Sequence, residues 1–77
     1  MGMAFGISED DVLAVAMQAG QTLSEARASE IFDELDEDLV EDAALHFDDM
    51  DEQTNAAHDE IRRQVIDLGY GSEVLGV

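Results

Sequence analysis

The chain alternates runs of apolar residues at helical spacing with short polar breaks, and it has no period-two stretch of the kind that marks a strand. Ser8-Glu9-Asp10-Asp11 reads as an N-cap with acids in the first turn, after which Val12, Leu13, Ala16, Met17 and Ala19 form an apolar stripe that Gly20 can end. This predicts a first helix over about residues 9 to 19. Thr22-Leu23-Ser24-Glu25 reads as a capping box, and Ala28, Ile31, Phe32 and Leu35 follow at i, i+3, i+4 and i+7, so a second helix ends near Leu35. Asp36-Glu37-Asp38 is a turn and cap before a short third helix with Leu39, Val40, Ala43, Ala44 and Phe47 on one face. Asp48-Asp49-Met50-Asp51 breaks and recaps the chain, and Ala57, Ile61, Val65 and Leu68 give the apolar edge of a fourth helix that stops at Gly69.

The pattern therefore predicts an all-α fold, a small bundle of about four short helices whose short connections place sequence neighbours side by side. With 77 residues the chain makes a single domain over residues 1–77, and a chain of this size buries only about 60% of the surface its unfolded form exposes. Met3, Phe5 and Ile7 at one end and Tyr70, Val74, Leu75 and Val77 at the other are more apolar than frayed tails require. They are expected to pack on the bundle or on a second copy, which makes a homodimer one expectation.

Charge changes the picture. Twenty Asp and Glu stand against three Arg and no Lys, a formal net charge of −17. Twelve of those acids fall between Glu30 and Glu52, a stretch with no Arg. Self-repulsion of this size opposes a compact state, and solubility alone asks for a net charge of only about 2–8 in magnitude. Helix capping accounts for acids such as Asp10, Asp11 and Asp51 at helix starts, but not for the whole central block.

Glu30 and Glu34 lie one helical turn apart, Glu37 and Asp38 follow at the turn, and Glu41 and Asp42 continue on the third helix. Side chains three or four apart on a helix are about 5–6 Å from one another, close to the spacing of phosphates along a nucleic-acid strand. A row at that pitch, together with the cluster Asp48, Asp49, Asp51 and Glu52, suits a Lys/Arg groove built for DNA or RNA. The expected partner is thus a basic protein surface, that of a nucleic-acid-binding protein. Direct binding to nucleic acid is opposed at every phosphate, because the chain has no basic patch. An anionic bilayer repels it in the same way.

Other chemistry finds little support. No Cys is present, so disulfides and thiolate sites are excluded, in keeping with a cytoplasmic protein. The first residues lack the basic region and apolar run of a signal peptide, no stretch reaches the roughly 20 apolar residues of a membrane span, and Gly6 stands where a myristoylation motif needs Ser or Thr. Asp49 to Glu60 has the acid spacing of an EF-hand loop, but Thr54 replaces the turn glycine and the loop would interrupt the fourth helix. His46 and His58 fall on different helices without the i, i+4 pairing of a metal helix. His58, one turn before Ile61, is expected at the edge of the core. Asp59 and Arg63 are expected to pair at i, i+4, and Arg62 with Arg63 balances local charge or bridges to a second copy. No nucleophile, general-acid pair or phosphate loop stands out, so neither catalysis nor a cofactor is expected.

Length, acidity and helix count also match acyl carrier proteins. Their modified serine opens a helix in an Asp-Ser-Leu motif, and Ser8, Ser24, Ser29 and Ser72 all lack that context. In size, charge and helical content the whole chain resembles the small acidic inhibitor proteins of phages and plasmids, of the DNA-mimic, anti-CRISPR and antirestriction type. That resemblance is one of overall character and carries no residue motif. It implies a non-enzymatic inhibitor of a nuclease, restriction enzyme or CRISPR complex. A small interaction module bound through apolar surface, such as an antitoxin or regulatory subunit, is the second reading.

Overall fold

Four of the five helices among the described residues begin where a short polar side chain caps them. The computed structural model describes residues 7–77, with α1 at Glu9–Gln18, α2 at Glu25–Glu34, α3 at Glu37–Leu45, α4 at Met50–Asp67 and α5 at Gly71–Leu75. Among these residues there is no strand. Ser8 and Asp11 form a reciprocal capping box at α1, in which the Ser8 amide donates to Asp11 Oδ2 at 2.9 Å. Asp36 accepts from the Leu39 amide at the start of α3, and Asp49 from the Asp51 amide at the start of α4.

The start of α2 departs from the expected box. Ser24, not Thr22, is the N-cap, accepting from the Arg27 amide at 3.2 Å. The side chain at the third position is then an arginine, which has no acceptor to return the bond. At the other ends, Gly20 and Gly69 adopt φ of 79° and 93°, conformations that suit glycine, and close α1 and α4. The Tyr70 amide donates to the Val65 carbonyl and the Gly69 amide to that of Ile66, the paired bonds of a Schellman motif.

Helices α1 and α4 form the centre of the molecule. Helix α2 packs on α1, α3 packs on α4, and α5 packs against both α1 and α4. Val12, Val15, Ala16, Ala28, Ile31, Leu35, Val40, Ala44, Ala57, Ile61, Val65 and Val74 make the core. Most of the predicted stripe residues are among them, but Val15 joins the α1 face while Met17 is 74% exposed. Leu39, Phe47 and Leu68 are also open to solvent, so the buried faces of α3 and α4 are narrower than the helical periodicity implies.

Helix α5 is a fifth element beyond the expected four. It buries Val74 completely, half-buries Tyr70 and Leu75, and leaves Val77 exposed. The C-terminal apolar residues, Val77 excepted, therefore pack on the chain's own bundle. Gly71 permits the fold-back: a Cβ there would lie 3.3 Å from Val77 Cγ2 and 3.4 Å from Ile66 Cγ1. Ile7 packs against the core at the other end, and Met3 and Phe5 lie outside the described residues.

Two polar side chains sit in this core with their hydrogen bonds satisfied. His58, instead of lying at a boundary, is 6% exposed and links α4 to α1. Its Nε2 faces Asp11 Oδ1 at 3.2 Å and its Nδ1 faces Gln18 Nε2 at 3.3 Å. Arg62 donates to Gln18 Oε1, which orients the Gln18 amide to donate to Nδ1. The imidazole proton then sits on Nε2, where it is donated to Asp11.

Gln64 ties α4 to the α2–α3 turn. Its Oε1 accepts from the Asp36 amide at 2.7 Å, and its Nε2 donates to the Asp36 carbonyl at 3.2 Å and to Glu60 Oε2 at 2.9 Å.

Candidate acidic partner-binding face

Leu35 and Asp36 are extended, with ψ of 152° and 98°, so the acid row bends between α2 and α3. Glu30 and Glu34 lie along the last turns of α2, whereas Glu37 and Asp38 open the first turn of α3 instead of forming the turn itself. That position is favourable, since acids at a helix N-terminus gain about 0.3–1 kcal/mol from the exposed amides. Along α3, Glu37 is followed one turn later by Glu41, and Asp38 by Asp42. Each such like-charge pair opposes the helix by about 0.2–0.5 kcal/mol, a cost the first-turn position offsets for Glu37 and Asp38 but not for Glu41 and Asp42.

The second cluster stands at the far end of α3. Asp48 and Asp49 occupy the α3–α4 connection, and Asp51 and Glu52 the first turn of α4. The nine residues of α3, a rise of roughly 14 Å, carry the chain from one group to the other. The predicted set thus divides into one cluster at the α2–α3 turn and one at the α3–α4 connection, joined by Glu41 and Asp42. All ten are exposed except Glu41, which is partly covered.

Pairing with arginine spares nearly all of this set. Arg27 binds Glu73 through Nε at 2.5 Å and Nη2 at 3.0 Å, and Glu30 through Nη1 at 2.6 Å. Arg62 pairs with Asp59, and Arg63 with Glu60 and Asp67. The expected Asp59–Arg63 pair does not form: the i, i+3 partner Arg62 takes Asp59, and Arg63 lies on the neighbouring stripe between Glu60 and Asp67. Glu30 is accordingly the one predicted contact residue within ion-pair distance of an Arg among the described residues. Asp42 lies 3.6 Å from His46 Nε2, both well exposed.

Hydrogen bonds to arginine hold the carboxyls of Glu73 and Glu60 below their usual range; partial burial opposes the effect in both, and Gln64 adds to it at Glu60. Those acids balance the Arg27 and Arg63 guanidinium groups, and Asp59 balances that of Arg62. Tyr70 donates its phenol to Glu34, and this bond, with some desolvation and the nearby carboxylate charge, raises the phenol pKa. The Arg27 guanidinium lies 5.3 Å from the centre of the Tyr70 ring. Glu34 is therefore held by Tyr70, the residue just before α5, a contact that connects residues 36 apart.

The EF-hand-like segment runs from the α4 cap into α4, whose helix is continuous from Met50 to Asp67. Among the described residues no group of three or more His, Asp or Glu side chains converges as a metal site, and no helix is long and apolar enough to cross a membrane.

Two acids outside the predicted set join the face. Asp36 lines the depression at the α2–α3 turn together with Glu34, Leu35, Glu37 and Asp38. Asp67 closes an adjoining cleft with Leu39 and Leu68. The helical periodicity assigns those leucines to the core, which hides them as surface residues. Comparison with protein families, curated proteins and solved structures gives no match to this chain.

Proposed function

We propose that the protein is a non-enzymatic acidic inhibitor that occupies the basic nucleic-acid-binding surface of a nuclease, restriction enzyme or CRISPR complex. Charge density is the observation that carries the reading. The described residues, which carry every Asp, Glu and Arg, span 36 × 20 × 19 Å, so the 17 net negative charges fall at one per about 2.1 Å of the long axis. Duplex DNA carries one per about 1.7 Å. A basic channel meets a comparable field from either.

The contact set is Glu30, Glu34, Glu37, Asp38, Glu41 and Asp42 with Asp48, Asp49, Asp51 and Glu52. Nine of these ten acids lack an Arg partner among the described residues, which leaves them available to a partner's cations. Competition with DNA or RNA follows from shared occupancy of one surface and needs no turnover. In solution this reading puts the protein in the same compartment as its target, the cytoplasm.

Measuring affinity for a candidate nuclease across a salt series tests the proposal. A nucleic-acid complex with six to ten phosphate contacts weakens by about 10³–10⁵-fold between 50 and 200 mM salt, and a steep loss of this kind is expected here. Affinity that ignores salt would sink the idea.

The exposed Leu45, Met50, Met17 and Ile66 favour a second reading, an interaction module held mainly by apolar contacts. In that case substitution of those residues, and not of the acids, removes binding. Leu75 is unsuitable for this test because it packs against the chain's own core.

A further inference from the structure

The α2–α3 turn, the first turn of α3 and the end of α4 enclose a cleft of about 230 Å³, lined by Glu34, Asp36, Leu39, Gln64, Asp67 and Leu68. Small-molecule sites span about 300–1,000 Å³, so this space suits a protruding side chain better than a ligand. Leu39 and Leu68 are 46% and 41% exposed on its walls. The charged lining residues are all acids, and no Arg or His lines it. Asp67 has Arg63 at 3.1 Å, but Arg63 lines a different depression, between α3 and α4.

The cleft is also held in shape before any partner arrives. Gln64 fixes the Asp36 backbone from both sides, and the Tyr70 phenol fixes Glu34. Side chains ordered in advance lose less entropy on binding. A second copy of this chain is a poor occupant, since it brings 17 further negative charges and its three arginines are already paired.

From this arrangement we infer that the cleft seats a basic amphipathic segment of the partner protein. One large apolar side chain enters between Leu39 and Leu68, and flanking Lys or Arg meet Glu34, Asp36 and Asp67. The inference rests on the reading of a basic partner and adds to it an apolar anchor that nucleic acid itself does not offer. Charge then governs approach, and the anchor contributes affinity that salt does not screen.

Two synthetic helical peptides of equal positive charge test the inference, one carrying a single leucine on its apolar face and one with serine in its place. Titrated into the isotope-labelled protein, the leucine peptide is expected to bind at least about tenfold more tightly and to shift the amides of Leu39, Gln64 and Leu68. The single variants Leu39→Ser and Leu68→Ser, at half-exposed positions where the helical spectrum is expected to survive, should abolish that difference.

Equal affinity for the two peptides, or shifts confined to Asp48 through Glu52, would overturn the cleft. Salt-dependent binding of both peptides in that case leaves the charge-based reading standing. If leucine raises affinity but neither peptide responds to salt, the charge-based reading falls and the cleft remains. Resonances of Leu39 and Leu68 that move with protein concentration alone would assign the cleft to a second copy and overturn the inference, as would failure of both peptides to bind.

Discussion

Replacing Gln64 with leucine tests how the acidic turn is held in place. The side chain is 7% exposed and makes three hydrogen bonds, two to the Asp36 backbone and one to Glu60. Leucine keeps much of the volume and removes all three. Each bond to the backbone contributes about 0.5–1.5 kcal/mol net. The bond to Glu60 loses less, because Arg63 still holds that carboxylate, and burying the leucine returns part of the loss. The balance is a destabilisation of about 1–3 kcal/mol, set against a total of about 4–12 kcal/mol for a chain of this length.

At about 4–8 °C per kcal/mol for a domain of this size, Gln64→Leu should lower the melting temperature by roughly 5–20 °C, read by circular dichroism. Hydrogen exchange adds the local test: the amides of Asp36, Leu39 and Val40 should lose protection before those of Ile61 and Val65. Gln53, whose exposed amide donates to the Phe47 carbonyl at 2.8 Å, is the comparison, with Gln53→Ala costing less than about 1 kcal/mol. Should Gln64→Leu melt at the original temperature or above it, with exchange at Asp36 unchanged, the clamp is not what fixes the α2–α3 turn.

Other outcomes follow from the charge and its pairings. Adding salt should raise the melting temperature of the free protein, since the Debye length of about 30 Å at 0.01 M spans most of the molecule and falls to about 3 Å at 1 M; a flat or falling profile would show that self-repulsion is not felt by the fold. The variant combining Glu34→Gln, Glu37→Gln, Glu41→Gln and Asp42→Asn should melt no lower than the original at low salt yet bind the target at least about a hundredfold more weakly, whereas full retention of binding would remove these acids from the contact set. Tyr70 should titrate above its ordinary value of 10.0 by absorbance and move back towards it in Glu34→Gln. Because the carboxyls of Glu60 and Glu73 are depressed in the folded state, their pairs contribute fully above the unfolded value of about 4.5 and are lost as pH falls through the lower folded values. Acid unfolding of Glu73→Gln, which lacks one of these carboxyls, should be correspondingly shallower.

The four longer helices were legible because their signals are local: Ser8, Asp36 and Asp49 cap within three residues, and Gly20 and Gly69 end helices through their own backbone. Thr22-Leu23-Ser24-Glu25 carries the capping-box pattern, yet the helix starts later and Ser24 caps it. Helix α5 escaped notice because it has five residues, no side-chain cap and a glycine at its first position. His58 and Gln64 could not be assigned to the core by type, since their partners lie on other elements. Leu39 and Leu68 failed in the opposite direction: periodicity gives the direction of a stripe but not the width that neighbouring helices cover. The acids themselves were readable as a block. Their division into two clusters joined along α3 depended on where the α2–α3 turn falls.

Competition on one surface is the central claim, and the most direct measurement is capture from a bacterial lysate at low salt, followed by elution with a salt gradient and with added DNA. The account predicts that one nuclease, restriction enzyme or CRISPR complex is retained, leaves as salt rises, and is displaced by DNA at low salt. A specific partner retained through the salt gradient and indifferent to DNA would contradict it.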